Sequence, residues 1–102
     1  VLKEKAAEYF DIEDSPYMLY NAKVKQTGLD PITHVDGTCR HQTVTYESNS
    51  TYYKLISAFE KKTGCPILLN TSLNIGGKPI AGTPEDADVS GLDALIIGNQ
   101  II

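Results

Sequence analysis

The chain has 102 residues, of which 41% are hydrophobic and 22% are charged, and its formal net charge is −4. This composition is typical of one small globular domain and excludes an intrinsically disordered chain. The negative charge gives no general attraction for nucleic acid or for an anionic membrane, and no apolar run reaches the ~20 residues of a membrane helix. We therefore expect no nucleic-acid partner and no membrane insertion.

The chain has two cysteines, Cys39 and Cys65. No signal peptide is recognisable, so we expect reduced thiols in a cytoplasmic protein rather than a disulfide. The sequence opens directly on a helical pattern and stops on an apolar pair, Ile101 and Ile102. We therefore interpret it as an excised fragment that forms one domain over residues 1–102.

The N-terminal half combines one helical pattern with several strand-like segments. Apolar residues at helical spacing predict a short amphipathic helix over residues 1–10. Aromatic and apolar residues predict a strand over residues 17–25. Residues 32–35 and 38–46 are also strand-like. Asp36-Gly37 lies between them and is a strong hairpin signal, because both residues tolerate positive φ.

The middle of the chain carries the clearest helix signal. Asn49-Ser50-Thr51 can cap this helix at its start. The apolar stripe follows the i, i+3, i+4, i+7 spacing and consists of Tyr52, Leu55, Ile56 and Phe59. Gly64 suits the position after the last turn, and Pro66 prevents the helix from continuing. The apolar run 67–69 then predicts a short buried strand.

The C-terminal part repeats the alternation of helix and strand. Thr83, followed by a proline and two acids, predicts a second helix start, and this helix should end near Gly91. Residues 94–97 predict a buried strand, and Gly98-Asn99 predicts a tight turn into residues 100–102. The order of elements indicates an α/β or α+β fold, with a mixed sheet and helices packed on it.

The most informative segment for function is residues 70–79, which we call the polar loop. Its hydroxyl and amide side chains can donate hydrogen bonds to anionic oxygens or to a nucleotide. They belong to Asn70, Thr71, Ser72 and Asn74. Gly76 and Gly77 allow backbone N–H groups to surround an anion, and Lys78 adds a positive charge. A plain turn after a strand explains the same residue types equally well, and the spacing does not fit a Walker loop.

Residues 34–42, which we call the histidine segment, hold a second group of polar side chains. Arg40 can bind a phosphate with its planar fork of donors. His34, Cys39 and His41 fit no standard zinc pattern and lack a fourth ligand, so we predict no metal site. A catalytic thiol at Cys39 and a plain hairpin turn are the alternative interpretations of this segment.

Several motifs follow one another over nearly the whole chain. They are Ser15-Pro16-Tyr17-Met18-Leu19, His34-Val35-Asp36-Gly37-Thr38 with Arg40, Gln42-Thr43-Val44, Thr63-Gly64, Leu69-Asn70-Thr71-Ser72-Leu73-Asn74, Gly77 with Pro79-Ile80, and Thr83-Pro84-Glu85-Asp86-Ala87. In order and spacing this series resembles the C-terminal region of the O-carbamoyltransferase family, which includes nodulation-factor and antibiotic carbamoyltransferases. One motif alone would be weak evidence, but the series is specific.

The resemblance implies a YrdC-like twisted sheet, of which this chain holds the C-terminal half. In that family the YrdC-like domain makes carbamoyl-adenylate from carbamoyl phosphate and ATP, with Mg²⁺. An N-terminal, metal-binding portion then passes the carbamoyl group to an acceptor hydroxyl. The Lys-x-Arg pair of the YrdC-like domain is not present in this sequence, so we expect the chain alone to be inactive.

The resemblance also implies roles for individual residues. Ser72-Leu73-Asn74 is similar to the family's Ser-x-Asn pair, and Arg40 matches an arginine that follows the family's His-x-Asp-Gly-Thr stretch. Residues implied to act on the reacting ligand are Arg40, Ser72 and Asn74. Residues implied to bind substrate or nucleotide are His34, Thr38, Asn70, Thr71 and Gly77.

Two other functions fit the sequence. A YrdC-type threonylcarbamoyl-adenylate synthase is related, although the His34–Thr38 stretch argues against it. A non-catalytic nucleotide- or anion-binding module is favoured by Gly76 and Lys78, which stand where the family commonly has an arginine and an acid. The implied partners are carbamoyl phosphate, ATP, a hydroxyl acceptor that the sequence does not identify and the N-terminal portion. A dimer formed by exposed sheet edges is compatible with the sequence.

Overall fold

A computed structural model describes residues 1–87 and 91–102. The chain divides into two compact units, Val1–Leu69 and Asn70–Ile102. Both contain small antiparallel sheets and the first contains the helices, so the prediction of a mixed α and β fold is confirmed at that level. The YrdC-like sheet and the single domain stay predictions. No helix in the described part of the chain is long and apolar enough to cross a membrane.

The first unit begins with the predicted N-terminal helix. A 3₁₀ turn over Lys3–Lys5 leads into helix α1, Ala6–Tyr9. The helix ends at Phe10, whose backbone is extended. Ala6 and Phe10 lie on the inner side and are buried, as the helical spacing of apolar residues requires.

The first sheet pairs two short strands in antiparallel fashion, β1 over Ala22–Lys23 and β2 over Thr38–Cys39. Ala22 is opposite Cys39, and both residues are buried. Strand β1 lies within the segment 17–25 that was predicted to be a strand, but it is much shorter. An isolated bridge between Phe10 and Val24 continues the pairing toward α1.

The hairpin prediction is confirmed for the turn and is wrong for one of the two strands. Gly37 has φ +81°, and the amide of His34 donates to the carbonyl of Thr38 over 2.7 Å, which closes the turn. Residues 32–35 do not form a strand. The chain instead makes a 3₁₀ turn over Asp30–Ile32, where Pro31 supplies the φ that a helical turn needs. The partner of β2 is therefore β1.

Helix α2, Ser50–Thr63, confirms the clearest helix prediction. The side chain of Asn49 accepts a hydrogen bond from the amide of Tyr52 over 3.0 Å, and Gly64 ends the helix at φ 77°. Ile56 is fully buried, whereas Leu55 is 57% exposed. The predicted apolar stripe is therefore only partly covered within the first unit.

The first unit has two small apolar clusters. One consists of Val1, Ala6, Phe10, Ala22, Cys39 and Ile67. The other joins α2 to the N-terminal segment and consists of Leu2, Val44 and Ile56. Leu2 and Val44 form an isolated parallel bridge, which holds the start of the chain beside residue 44.

Side-chain hydrogen bonds join the loop before β1 to the segment after β2. The amide of Ser15 donates to Thr43 Oγ1 over 3.0 Å, and Ser15 Oγ donates to the carbonyl of His41 over 3.1 Å. The amide of Thr43 donates back to the carbonyl of Ser15, and Gln42 Nε2 donates to the carbonyl of Pro16. These bonds satisfy polar groups that burial would otherwise leave without partners.

The apolar run 67–69 was predicted to be a buried strand, and this prediction is wrong for the described residues. Ile67 is buried, but Leu69 is 62% exposed, and the run belongs to no strand. The carbonyl of Pro66 accepts a hydrogen bond from Leu2 over 3.3 Å. A strand needs a neighbour along its length, and the described chain offers none to residues 67–69.

The second unit ends in a tight hairpin. Strand β3, Ile96–Ile97, pairs antiparallel with β4, Gln100–Ile101, and Gly98 in the turn has φ +59°. This confirms the predicted turn at Gly98-Asn99. The strand itself was predicted to be buried, but Ile96 is 67% exposed, because the two-stranded sheet has no described layer packed on that side.

The predicted cap at Thr83 is present as a reciprocal pair of hydrogen bonds, although the described residues that follow it form turns rather than a helix. The amide of Asp86 donates to Thr83 Oγ1 over 3.2 Å, and Asp86 Oδ2 accepts from the amide of Thr83 over 3.2 Å. This is the arrangement of a capping box. Residues 83–87 form a bend and hydrogen-bonded turns. Residues 88–90, through which the predicted helix continues, lie outside the described residues.

Candidate functional site

The predicted site residues divide between the two units. His34, Thr38 and Arg40 belong to the first unit, in the histidine segment. The second unit contains the predicted residues of the polar loop, which are Asn70, Thr71, Ser72, Asn74 and Gly77. The binding roles of all eight residues stay predictions.

The polar loop is closed by backbone hydrogen bonds. The amide of Ala81 donates to the carbonyl of Leu73, and the amide of Lys78 donates to the carbonyl of Ile75, both over 2.9 Å. Gly77 has φ +78°, which a side chain would strain. Positive φ at the third residue of a four-residue turn is typical of a type II turn. Residues 75–78 therefore form a defined turn within the loop.

The side chain of Asn74 stabilises this turn through two hydrogen bonds. Its side-chain Nδ2 donates to the carbonyl of Ile75 and to the carbonyl of Lys78, each over 3.2 Å. The two carbonyls are those at the first and fourth positions of the turn. Asn74 is half-buried, whereas the neighbouring Ser72 is exposed. The side chain thus stabilises the conformation of the loop whether or not a ligand is bound.

The loop presents hydrogen-bond donors to solvent. The hydroxyls of Thr71 and Ser72 and the ammonium group of Lys78 lie on exposed residues. The backbone amides of Gly76 and Gly77 make no hydrogen bond with any described residue. Hydroxyl, amide and ammonium donors around one turn can bind anionic oxygens. Since no carboxylate belongs to residues 70–79, the loop offers an anion no repulsive charge of its own.

The histidine segment is ordered by Asp36. The carboxylate of Asp36 accepts from the amide of Thr38 over 3.0 Å and from Thr38 Oγ1 over 2.6 Å. These two bonds lower the pKa of the Asp36 carboxyl below its ordinary value. The hydroxyl of Thr38 therefore serves the turn, while His34 is exposed and contributes its backbone to the same turn.

Arg40 directly follows β2 and is exposed. The ion pairs among the described residues are Lys3 with Asp14 at 3.5 Å and Lys5 with Glu60 at 3.7 Å, so Arg40 takes part in none of them. A guanidinium group without a carboxylate partner retains all of its donors for an oxyanion. The role of Arg40 in binding an anion stays a prediction.

Cys39 and His41 flank Arg40, and the surroundings of both side chains indicate a structural role rather than a catalytic one. Burial raises the pKa of the Cys39 thiol, which disfavours the thiolate that a nucleophile requires. His41 is 5% exposed and stacks on Phe10 with ring centroids 4.3 Å apart. Among the described residues no group of three or more His, Cys, Asp or Glu side chains could hold a metal ion. Cys39 and Cys65 are both free thiols.

The first unit also has a shallow hollow of about 440 Å³ that the sequence did not indicate. Its lining residues are Lys3, Glu4, Thr45, Tyr46, Glu47 and Tyr53. The hydroxyl of Tyr53 donates to the carboxylate of Glu4, and this bond raises the pKa of Tyr53. These residues come from three separate parts of the chain and carry no common motif, so only folding brings them together.

Known proteins resemble this chain over its whole length. The family described as carbamoyltransferase C-terminus matches residues 1–102. Nodulation protein NolNO of Sinorhizobium fredii is 42% identical over 113 residues, covering 100% of this chain and 17% of that protein. Nodulation protein NolO of Bradyrhizobium diazoefficiens is 41% identical, covering 99% and 20%. The 3'-hydroxymethylcephem-O-carbamoyltransferase of Amycolatopsis lactamdurans is 38% identical, covering 87% and 18%. The chain therefore spans a fifth or less of the length of these relatives.

Proposed function

We propose, from the premise that this chain belongs to the carbamoyltransferase C-terminus family, that its polar loop binds carbamoyl phosphate in a carbamoyltransferase. The resemblance to the C-terminal region of that family is confirmed over the whole chain. The activity of the complete protein, its use of ATP and its acceptor are part of the proposal. A cytoplasmic location belongs to the proposal as well.

The observation that carries the proposal is the construction of the polar loop. Ser72 offers an exposed hydroxyl, and Lys78 an exposed ammonium group, on a turn whose shape Asn74 maintains. A doubly charged acyl phosphate is bound well by such fixed donors, because they stabilise its charge without having to reorganise. A surface turn that binds no ligand does not require a side-chain amide that bonds both ends of the turn, as Asn74 does. It also does not require several exposed donors that lack partners among the described residues.

The reaction that we propose for the complete protein requires the reacting groups of its substrates to be positioned, and it does not require a nucleophilic side chain. Water cleaves carbamoyl phosphate to carbamate and inorganic phosphate. A carbamate oxygen then attacks the α-phosphorus of ATP, pyrophosphate leaves, and carbamoyl-adenylate forms. An acceptor hydroxyl finally attacks the carbamoyl carbon and releases AMP. In these steps Ser72 and Lys78 of the polar loop would hold phosphate oxygens of carbamoyl phosphate. Arg40 belongs to the first unit, and its proposed role is to bind a phosphate group through its bidentate fork.

Mg²⁺ accompanies ATP in this proposal and would be held by the phosphates of the nucleotide. The described residues include no group of three or more His, Cys, Asp or Glu side chains that could bind a metal ion. Mg²⁺ commonly binds substrate phosphates with only one or two protein carboxylates. In this proposal the contribution of the chain itself is to bind and orient the anions.

The test measures release of pyrophosphate from ATP by the complete protein, as a function of carbamoyl phosphate. Removal of one hydrogen bond to a charged group costs ~1.5–3 kcal/mol, or about ten- to a hundred-fold in affinity. We expect Ser72→Ala to raise the carbamoyl phosphate concentration for half-maximal rate by about that factor. Ser57→Ala, in helix α2, is the matched control and should behave as wild type.

Two results would contradict the proposal. If pyrophosphate release by the wild type does not depend on carbamoyl phosphate, the complete protein is not a carbamoyl-adenylate synthase, and an anion-binding module is the better description. If the wild type is active and Ser72→Ala has the same concentration dependence, the polar loop is not the binding site.

A further inference from the structure

Two loops of the first unit are joined by a group of buried polar residues. The group consists of Ser15, which is 1% exposed, Thr43, which is 4% exposed, and His41, which is 5% exposed. Ser15 and Thr43 share two hydrogen bonds of 3.0 Å, and Ser15 Oγ donates to the carbonyl of His41 over 3.1 Å. None of the three residues belongs to a helix or a strand. We call these three residues the latch, because their hydrogen bonds hold the two loops together.

The ring of His41 is the part of the latch that these hydrogen bonds leave unsatisfied. Neither Nδ1 nor Nε2 has a partner among the described residues. The ring instead stacks on Phe10, with centroids 4.3 Å apart and planes at 14°. A neutral imidazole tolerates an apolar neighbour, whereas an imidazolium would bring a charge and a second N–H donor to the same place. The closed latch therefore accommodates the neutral ring.

The charges that face the ring come from two other segments. The carboxylate of Asp11 favours a protonated ring, and so does the backbone of Ile12, which does not complete a hydrogen bond with it. The amino group of Val1 opposes protonation. Burial outweighs the favourable contributions and lowers the pKa of His41 below its ordinary value.

The remaining charged and titratable groups near the latch provide no counter-ion for an imidazolium. Asp14 accepts a hydrogen bond from Thr43 Oγ1 over 3.5 Å, and its carboxylate pairs with Lys3 at 3.5 Å. On the segment of His41 itself, Arg40 is exposed and positive, and burial raises the pKa of the Cys39 thiol and so keeps it uncharged. A proton on His41 is therefore accommodated better in water than in the closed latch.

We propose that the latch opens in acid: a proton from solvent binds His41, the ring leaves the stack on Phe10, and the bonds of Ser15 to residues 41–43 break. The rest of the first unit stays folded, because helix α2 is held by its own backbone hydrogen bonds and by buried Ile56. This pH-sensitive device goes beyond the proposed function, which assigns His41 no role. Since Arg40 directly precedes His41, acid also frees the segment that carries Arg40.

The experiment is hydrogen exchange with mass spectrometry on the complete protein at pH 7.5 and pH 5.5, with rates corrected for the intrinsic effect of pH on amide exchange. In the open latch the ring of His41 has its ordinary pKa of 6.5, so the open population rises by up to about tenfold between these pH values. We expect exchange in the peptides that contain Ser15 and Thr43 to accelerate by up to about that factor. Low concentrations of urea should leave this exchange unchanged, because a local opening exposes little surface.

Three variants separate the trigger from the latch. His41→Phe keeps a stacked ring without a titratable nitrogen and should accelerate less in acid than the wild type. Ser15→Ala removes one bond of the latch but not the trigger, so exchange should be faster at both pH values with the acid acceleration retained. His34→Gln, at an exposed histidine, should behave as the wild type.

The proposal has two ways to fail. If exchange at Ser15 and Thr43 accelerates only together with that of the peptide containing Ile56, and with the same dependence on urea, the chain opens as a whole and the latch is not a separate device. If the wild type shows no acceleration, or if His41→Phe accelerates as much as the wild type, His41 is not the trigger. The Ser15→Ala result keeps the proposal testable should His41→Phe not fold, since loss of the acid acceleration in Ser15→Ala would also overturn it.

Discussion

The buried ring of His41 should make the first unit sensitive to acid. His41 is 5% exposed, and neither ring nitrogen has a hydrogen-bond partner among the described residues. Its neighbour Phe10 offers a stacked ring and no charge. Burial therefore lowers the pKa of His41 below its ordinary value of 6.5. The folded chain holds this side chain neutral at a pH where the unfolded chain protonates it.

The sign and size of the effect follow from proton linkage. Below pH 6.5 the unfolded state binds one proton more than the folded state, so the free energy of unfolding falls as the pH falls. The slope is at most about 1.4 kcal/mol per pH unit for one proton, and the loss ends once the pH passes the lowered pKa of the folded state. Between about pH 7.5 and pH 5.5 the loss from this one group is at most ~1.4 kcal/mol, compared with a total stability of ~5–15 kcal/mol for a small domain.

The assay is urea unfolding of the 102-residue chain at several pH values, with His41→Phe and His34→Gln variants. Phenylalanine keeps a stacked ring beside Phe10 but cannot bind a proton. We expect His41→Phe to be less acid-sensitive than the wild type. Burial also lowers the pKa of the Val1 amino group to about 6, and the sensitivity from that group should remain in the variant. His34 is exposed, and His34→Gln should retain the acid sensitivity of the wild type. If wild type and His41→Phe lose stability in parallel, the ring of His41 is not the acid-sensitive group.

Helix α2 gives two further predictions. Asn49→Ala removes the bond to the amide of Tyr52 and should lower the free energy of unfolding by about 1 kcal/mol, whereas Asn49→Ser should restore most of it. Ile56→Ala should cost about 2–5 kcal/mol, because the side chain is fully buried between Leu2 and Val44. Leu55→Ala removes a similar side chain that is 57% exposed and should cost less than about 1 kcal/mol. Equal losses at Leu55 and Ile56 in denaturant unfolding would contradict the burial that separates them.

Features set by neighbouring residues were predictable from the sequence. The cap at Asn49, the end of α2 at Gly64 and the hairpin turn at Gly98-Asn99 depend on side chains and glycines within a few positions. The reciprocal bonds of Thr83 and Asp86 are equally local. Such elements form wherever the rest of the chain lies, so the local pattern is sufficient to predict them.

Features that depend on distant partners were not predictable in the same way. Residues 32–35 have a strand-like composition, yet β2 pairs with Ala22–Lys23. Residues 67–69 have the composition of a buried strand, but β-structure forms only when another strand provides hydrogen bonds. Leu55 and Ile56 both belong to the predicted apolar stripe of the helix. Only tertiary packing decides which of the two is buried.

In the candidate site, too, some features were predictable from the sequence and others were not. The sequence indicated which residues of the polar loop can bind an anion, because hydroxyl, amide and ammonium groups are visible in the sequence itself. It did not indicate that both N–H groups of Asn74 fasten the turn at Ile75 and Lys78. That assignment depends on the positions of two carbonyls, which only the folded loop shows.

The most direct test of the central claim is hydrogen exchange of the complete protein with and without carbamoyl phosphate, followed by mass spectrometry of the peptide that contains residues 70–80. We predict slower exchange in this peptide when carbamoyl phosphate is bound, because the amides of Gly76 and Gly77 then donate to the ligand. Protection elsewhere in the protein, with unchanged exchange over residues 70–80 at a saturating concentration, would contradict the assignment of the polar loop as the binding site.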